Sequence, residues 1–213
     1  LSIQPNVHYA LSNNFGVEYR KMKAEGKTHL KLRDCEYRVE KGDLDRDGYF
    51  VLDKPTKISG QGCGMTTLVE FGLKIEGKKS EGIVEIEDLT IKGARLHGLW
   101  AHEGMKVIMR GCTVEECERY GVYANEADIT CDDLQVIGCG RSGVHADINA
   151  TITLSGHGTS IQGNGTKGDS HHYGLHAPSS SSFIHLVHPL TKKQISKKNR
   201  GGGNWNEYGG TIE

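Results

Sequence analysis

Val84-Glu85-Ile86-Glu87, Val107-Ile108-Met109-Arg110, Ile129-Thr130-Cys131-Asp132 and Ile152-Thr153-Leu154-Ser155 are one phrase written four times. The interval from each copy to the next is constant to within a single position. Five positions after the first three starts come Leu89, Cys112 and Leu134, and two further on Ile91, Val114 and Val136. A second phrase, glycine-apolar-any-alanine, appears at Gly98–Ala101, Gly121–Ala124 and Gly143–Ala146, and after a longer interval at Gly174–Ala177. A fixed period in this range marks a solenoid.

Each period holds three short segments in which apolar residues alternate, as in Leu99-x-Ala101, Val107-x-Met109 and Cys112-x-Val114. Residues two apart share one face of a strand. Three strands per turn with small or branched inward residues describe a three-sided parallel β-helix. Helical repeats fit poorly, because glycine interrupts every period.

In these phrases the chain resembles the right-handed parallel β-helix proteins of the pectin-lyase-like superfamily, from about Gly48 to Ala177 and most strongly from Val84 to Ile152. The resemblance implies an all-β, single-stranded, right-handed β-helix with coils of about 22–23 residues. That architecture carries polysaccharide lyases, hydrolases and epimerases. It also carries viral adhesins and non-enzymatic recognition domains, including those attached to some F-box proteins. The fold does not by itself name an activity.

One domain is expected, in three stretches: a cap and first strands over 1–47, the β-helix over 48–190, and a basic, glycine-rich tail or cap over 191–213. The chain begins at Leu1, without methionine, as an excised or processed product would. Only 36% of its 213 residues are hydrophobic, which suits a thin core column, and 29 glycines suit several turns per coil. The net charge of −1 leaves no nucleic-acid footprint. No apolar run approaches the ~18 residues of a membrane span. The compartment is left open.

Six cysteines include Cys112 and Cys131 in inward rows, and Cys117 and Cys139, which the period stacks on neighbouring coils. A reduced stack is expected, although the spacing permits a disulfide. Asn149-Ala-Thr151 and Asn164-Gly-Thr166 are glycosylation sequons that matter only in a secreted protein. Ahead of the repeat, residues from about Asn14 to Ala24 predict an amphipathic helix, with Asn13 or Asn14 as N-cap, Gly26 as terminator and Phe15, Tyr19 and Met22 on one face. A solenoid end needs such a cover. Lys57–Gly64 is glycine-rich but lacks the ending of a phosphate loop, so it predicts a turn.

Three groups of side chains are candidates for chemistry. In glycine-apolar-x-alanine the x position points outward, giving the row Trp100, Tyr123, His145 and His176. Beside it runs a polar row, His102, Asn125 and Asp147. Trp100, Tyr123 and His145 are expected to be solvent-accessible and stacked along one sheet. Flat rings beside hydrogen-bonding groups suit sugar rings or a protein partner. The second group, Asp132, Asp133 and His157, resembles two motifs of polygalacturonases, in which paired carboxylates activate water and protonate the leaving oxygen. A further aspartate of that family is replaced by Arg110-Gly111, and its Arg-x-Lys motif is absent. The third group is metal-related. Asp43, Asp45 and Asp47 resemble the start of an EF-hand calcium loop, but position twelve is Lys54. His171 and His172, near His176, offer imidazole ligands without a matching cysteine or carboxylate. The expected function is a non-catalytic binding or scaffolding module for a protein or polysaccharide, without a cofactor unless calcium binds. The alternative is a carbohydrate-active hydrolase, lyase or epimerase acting on acidic glycans.

Overall fold

Residues 4–213 are described by a computed structural model of the protein. Three parallel sheets run the length of the chain: one of nine strands and two of seven. One coil shows the pattern. Ile83–Glu87 lies in the nine-stranded first sheet, Thr90–Lys92 in the second, and Leu99–His102 in the third. The next coil repeats it with Lys106–Arg110, Thr113–Glu115 and Val122–Asn125. Strands pair with their counterparts one coil away, so Val84, Val107, Ile129 and Ile152 share one row. The chain is the three-sided β-helix that its period predicts.

The rows explain the sequence pattern. A parallel ladder fixes each residue against its equivalent about 4.8 Å away, so an apolar position must be apolar in every coil. Ile86, Met109, Cys131 and Leu154 form one such row, each fully buried. The corners are equally periodic. Asp88, Gly111, Asp133 and Gly156 occupy one turn position in successive coils, all with positive φ. Glycine, asparagine and aspartate tolerate that region best. Lys57–Gly64 holds a strand end and a turn, in which Gly60 donates to Glu87 O and Gly62 to Asp88 O.

One end of the column is plugged. The helix Phe15–Ala24 begins where Asn14 Oδ1 accepts the Val17 N–H at 3.0 Å. Phe15 packs edge-on against Phe50 at 4.9 Å between ring centroids, and Tyr19 does so at 5.1 Å. Glu18 is buried on the other side of this helix. It accepts the N–H groups of Leu11 and Ser12 and the Ser12 hydroxyl, and lies 3.0 Å from both His8 Nε2 and Lys21 Nζ. Burial opposes its ionisation. The hydrogen bonds from His8, Ser12, Leu11 and Lys21 outweigh burial and bring the carboxyl down to about 2.

At the other end lies the stretch expected as a tail or cap. Residues 191–213 contribute Ser196–Lys197, Gly203–Asn206 and Thr211–Ile212, one strand to each sheet. Trp205 stands opposite Leu175 in the inward row of the third sheet. Tyr208, by contrast, is 83% exposed. Long connections hide this coil from the period, as the wide gap between Gly143 and Gly174 already shows one coil earlier. All six cysteines are free, and Cys117 and Cys139 are stacked and buried. Asn164 continues that row with Asn199 next to it: Asn164 accepts the Cys139 N–H and donates to Val136 O, while Asn199 accepts from Asn164. Among the described residues no helix is long and apolar enough to cross a membrane.

Met109→Asp places a charge in a fully buried row with no partner, and the variant should lose several kcal/mol in urea unfolding. Glu18 supplies a pH signature. Its folded pKa lies below the ordinary carboxylate value, so its contribution is complete above about pH 4.5 and fades as pH falls towards 2. Glu18→Gln should lower stability at pH 7 and flatten its dependence on pH below 4.5, measured by urea unfolding at each pH.

Candidate functional site

The third sheet owes its outer face to a row of glycines. In register, Leu99, Val122, Val144 and Leu175 point inward, as do Ala101, Ala124 and Ala146. Gly98, Gly121 and Gly143 precede them where the chain turns tightly from the second sheet. A Cβ at Gly98 would overlap Val114 and touch Cys117 Sγ at 3.0 Å. At Gly121 it would overlap Val136 and come within 2.7 Å of Gly143 O. Glycine is therefore required by close approach at these corners, and the x position is thrown outward.

The outward row is Trp100, Tyr123, His145 and His176, as the spacing predicts. Its exposure differs from expectation. Trp100 and Tyr123 are half-buried, while His145 and His176 are only 5% and 9% exposed. The row is not a bare ladder, because neighbouring rings lie against it. His97 stacks on Tyr120 at 5.0 Å and 8°, and contacts both Trp100 and Tyr123. Tyr120 lies 4.4 Å from His145 and meets His172 edge-on. His145 in turn meets His176 at 4.7 Å, and Tyr49 flanks Trp100 at 5.4 Å. Trp100 and Tyr123 remain stacked at 6.1 Å and 22°, with Lys74 Nζ 4.5 Å from the indole centroid.

The polar row runs alongside. His102 Nδ1 donates to Asn125 Oδ1 at 3.0 Å, and the Tyr123 hydroxyl donates to Asp147 Oδ2 at 3.0 Å. All three polar-row residues are half-exposed. Beside His102 a shallow hollow of about 420 Å³ opens between Glu76, Gly77, Lys78, Glu81 and Glu103.

Burial dominates the electrostatics of the ring cluster. It holds His97 down at about 3, helped by the charges of Arg119 and Arg141. It holds His176 down at about 4, with His172 adding to the shift and Asp147 opposing it. His145 lies well below the ordinary histidine range, first through burial and then through His176, His97, His172 and Arg141. His172 is lowered by burial against the opposing pull of Asp169. The cluster is a layer of neutral imidazoles.

The other candidates, His172 apart, lie outside the ring cluster, in turns and loops. Asp133 has φ 51° and its Oδ1 accepts the Gly158 N–H at 2.7 Å, one coil on. Asp132 Oδ1 accepts the Ser155 hydroxyl at 2.9 Å. His157 is exposed in the turn that Asp133 caps. Asp43, Asp45 and Asp47 do not converge. Asp43 pairs with Arg20 and accepts the Glu40 N–H, whereas Asp45 accepts the N–H groups of Asp47 and Tyr49 within its own loop. His171 is held by Asp169 at 2.9 Å. Among the described residues no group of three His, Cys, Asp or Glu is placed to hold a metal ion.

Sequence reasoning missed Tyr49, His97 and Tyr120 as members of the ring cluster, and Arg119 and Arg141 at its edge, and it set His172 near His176 only as an imidazole ligand for a metal. A periodic signal for two of them was available. The residue before each phrase glycine reads His97, Tyr120, Ser142 and Tyr173, a row in its own right. Tyr49 and His172 carry no such signal, since one precedes the regular repeat and the other sits in the longest interruption.

A three-sided parallel solenoid is the architecture of β-helix proteins. Residues 71–183, more than half of the chain, match the family model described as the right handed beta helix region, and the chain belongs to that family. No curated protein matches it. Among solved structures it is similar to the A-module of the mannuronan C-5 epimerase AlgE4 of Azotobacter vinelandii. The identity is 14%, over 90% of this chain and 92% of that one, with a TM-score of 0.26. A score that low carries no argument about activity.

The glycine row yields a direct test. Gly121→Ala forces a methyl group against Val136 and Gly143 O, and should cost about 1–3 kcal/mol in urea unfolding. An alanine at the exposed, unobstructed Gly42 should leave stability within about 0.5 kcal/mol of the parent.

Proposed function

We propose that this β-helix is a non-catalytic binding module that presents the outer face of its third sheet to an extended polysaccharide. One observation carries the reading. Two half-exposed rings, Trp100 and Tyr123, stand one coil apart beside a half-exposed row of hydrogen-bonding groups, His102, Asn125 and Asp147. Ring faces supply flat apolar area, and the polar row supplies donors and acceptors at the same interval. A chain of sugar rings lying along the solenoid axis meets both. The carboxylates that a hydrolase would need support this choice, since Asp133 caps a turn and Asp132 holds a serine.

Trp100→Ala with Tyr123→Ala should reduce retention on a glycan array by about tenfold or more. The stability cost should be about 1–2 kcal/mol per ring, below that of a core truncation. Release of reducing sugar, or of unsaturated or epimerised product, from pectate, alginate or polygalacturonate would overturn the non-catalytic assignment. Undiminished glycan retention by the double variant would remove the face from the binding site. A protein ligand in place of a glycan would show as binding to the parent that the double variant loses while the array stays blank.

A further inference from the structure

Five buried side-chain polar atoms lack a hydrogen-bond partner among the described residues, and four of them belong to one cluster: Trp100 Nε1 and the Nδ1 atoms of His145, His172 and His176. An unpaired buried polar atom costs about 1–3 kcal/mol. Four on one face call for a common cause. His145 and His176 are more than nine-tenths buried, and the His172 side chain is 11% exposed.

Two guanidinium groups face the cluster, and two carboxylates, Asp169 and Asp147, oppose them. Arg141 lies 5.6 Å from the Tyr120 ring centroid, and its charge bears on His97, His145 and His172. Arg119 bears on His97 from the neighbouring coil. Carboxylates near this corner are committed to other groups. Glu115 and Glu116 pair with Lys92, Glu118 lies 3.9 Å from Lys167, Asp169 holds His171, and Asp147 accepts from Tyr123. Tyr49, Tyr120, Tyr123 and Tyr173 present neutral rings. Lys74, over Trp100, is paired with Glu76. Asp169 Oδ2 also lies 3.7 Å from His172 Nε2, and Asp147 bears on His176, so a proton on either is partly balanced, whereas a proton on His145 meets only the positive charge of Arg141 and its neighbouring imidazoles.

We propose that His145, His172 and His176, with Arg119 and Arg141, form a site that takes up an oxyanion and protons together, so that the face prefers a ligand bearing carboxylate or sulfate groups. The proposal rests on the reading of this face as a binding surface and names the chemistry it selects. His172 stands at the margin of the cluster, in a connection whose residues 166–171 are exposed. Displacement of its ring by the ligand opens the unpaired Nδ1 atoms to the anion. Each protonated imidazole then donates one N–H to an anion oxygen, and the guanidinium groups supply the remaining positive charge. Linkage follows: the anion favours the imidazolium form, and the proton favours the anion by the same factor.

The test is calorimetric titration of the unmutated protein with sodium sulfate and with a hexauronate at pH 7.0 and 5.5, at constant ionic strength set with chloride. Repetition in buffers of different ionisation heat counts the protons taken up. Affinity should rise about tenfold at the lower pH with net proton uptake, and cluster histidine resonances should titrate about one unit higher when the anion is present. Arg141→Ala should weaken binding at both pH values. A pH-independent affinity, binding without proton uptake, or an Arg141→Ala variant equal to the parent would each overturn the proposal. So would loss of the third sheet at pH 5.5 with no anion bound, read by hydrogen exchange. Stronger binding of the hexauronate than of sulfate assigns the oxyanion to a glycan, and the reverse assigns it to a free inorganic anion. Trp100→Ala with Tyr123→Ala separates the two readings. If it loses the hexauronate but keeps proton-linked sulfate uptake, the sugar-stacking face and the anion site stand apart. If the parent binds the hexauronate without proton uptake and takes up no sulfate, only the anion site fails.

Discussion

Every residue in this solenoid answers to the one directly above it and the one directly below. The parallel ladder holds Val107 between Val84 and Ile129, and Tyr123 between Trp100 and His145. A side chain cannot be chosen for its own coil alone. The constraint produces the thin core of small and branched residues, the repeated left-handed corner positions, and the outer rows in which like chemistry accumulates. It also confines damage, because a misfit at one row strains two neighbouring coils and few beyond them.

The same constraint governs what was legible in the sequence. Where the coil length stays constant, as from Val84 to Ile152, inward and outward positions followed from counting, and the row Trp100, Tyr123, His145, His176 was placed correctly. Two things escaped. The coil built from residues 191–213 was hidden because connections of variable length precede each of its strands, so its apolar residues fall at no fixed interval. The burial of His145 and His176 escaped because it depends on rings from the corners, and a count of strand positions does not include corners. The residues before each phrase glycine form a row as regular as any strand position. Corner rows therefore belong in any reading of a β-helix sequence.

Corner carboxylates carry a related lesson. Asp132, Asp133 and His157 have the composition of a hydrolytic site and fall on adjacent coils. Yet a β-helix needs acceptors at its corners, where backbone N–H groups leave one sheet before they join the next. Asp133 serves the Gly158 N–H, and its positive φ suits aspartate better than most residues. In this architecture an aspartate at a turn is first a device for closing the turn.

The two ends of the column are closed unequally. At one end, aromatic rings of a ten-residue helix and the buried Glu18 network bind the first strands to the body. At the other, two of the three strands are two residues long, and the inward row ends on a half-buried Trp205. Within residues 4–213 the last strands therefore rest chiefly on short ladders. His176, which pairs with Asn206 across one of them, stands next to this lightly held coil, and Trp100 stands three strands further in.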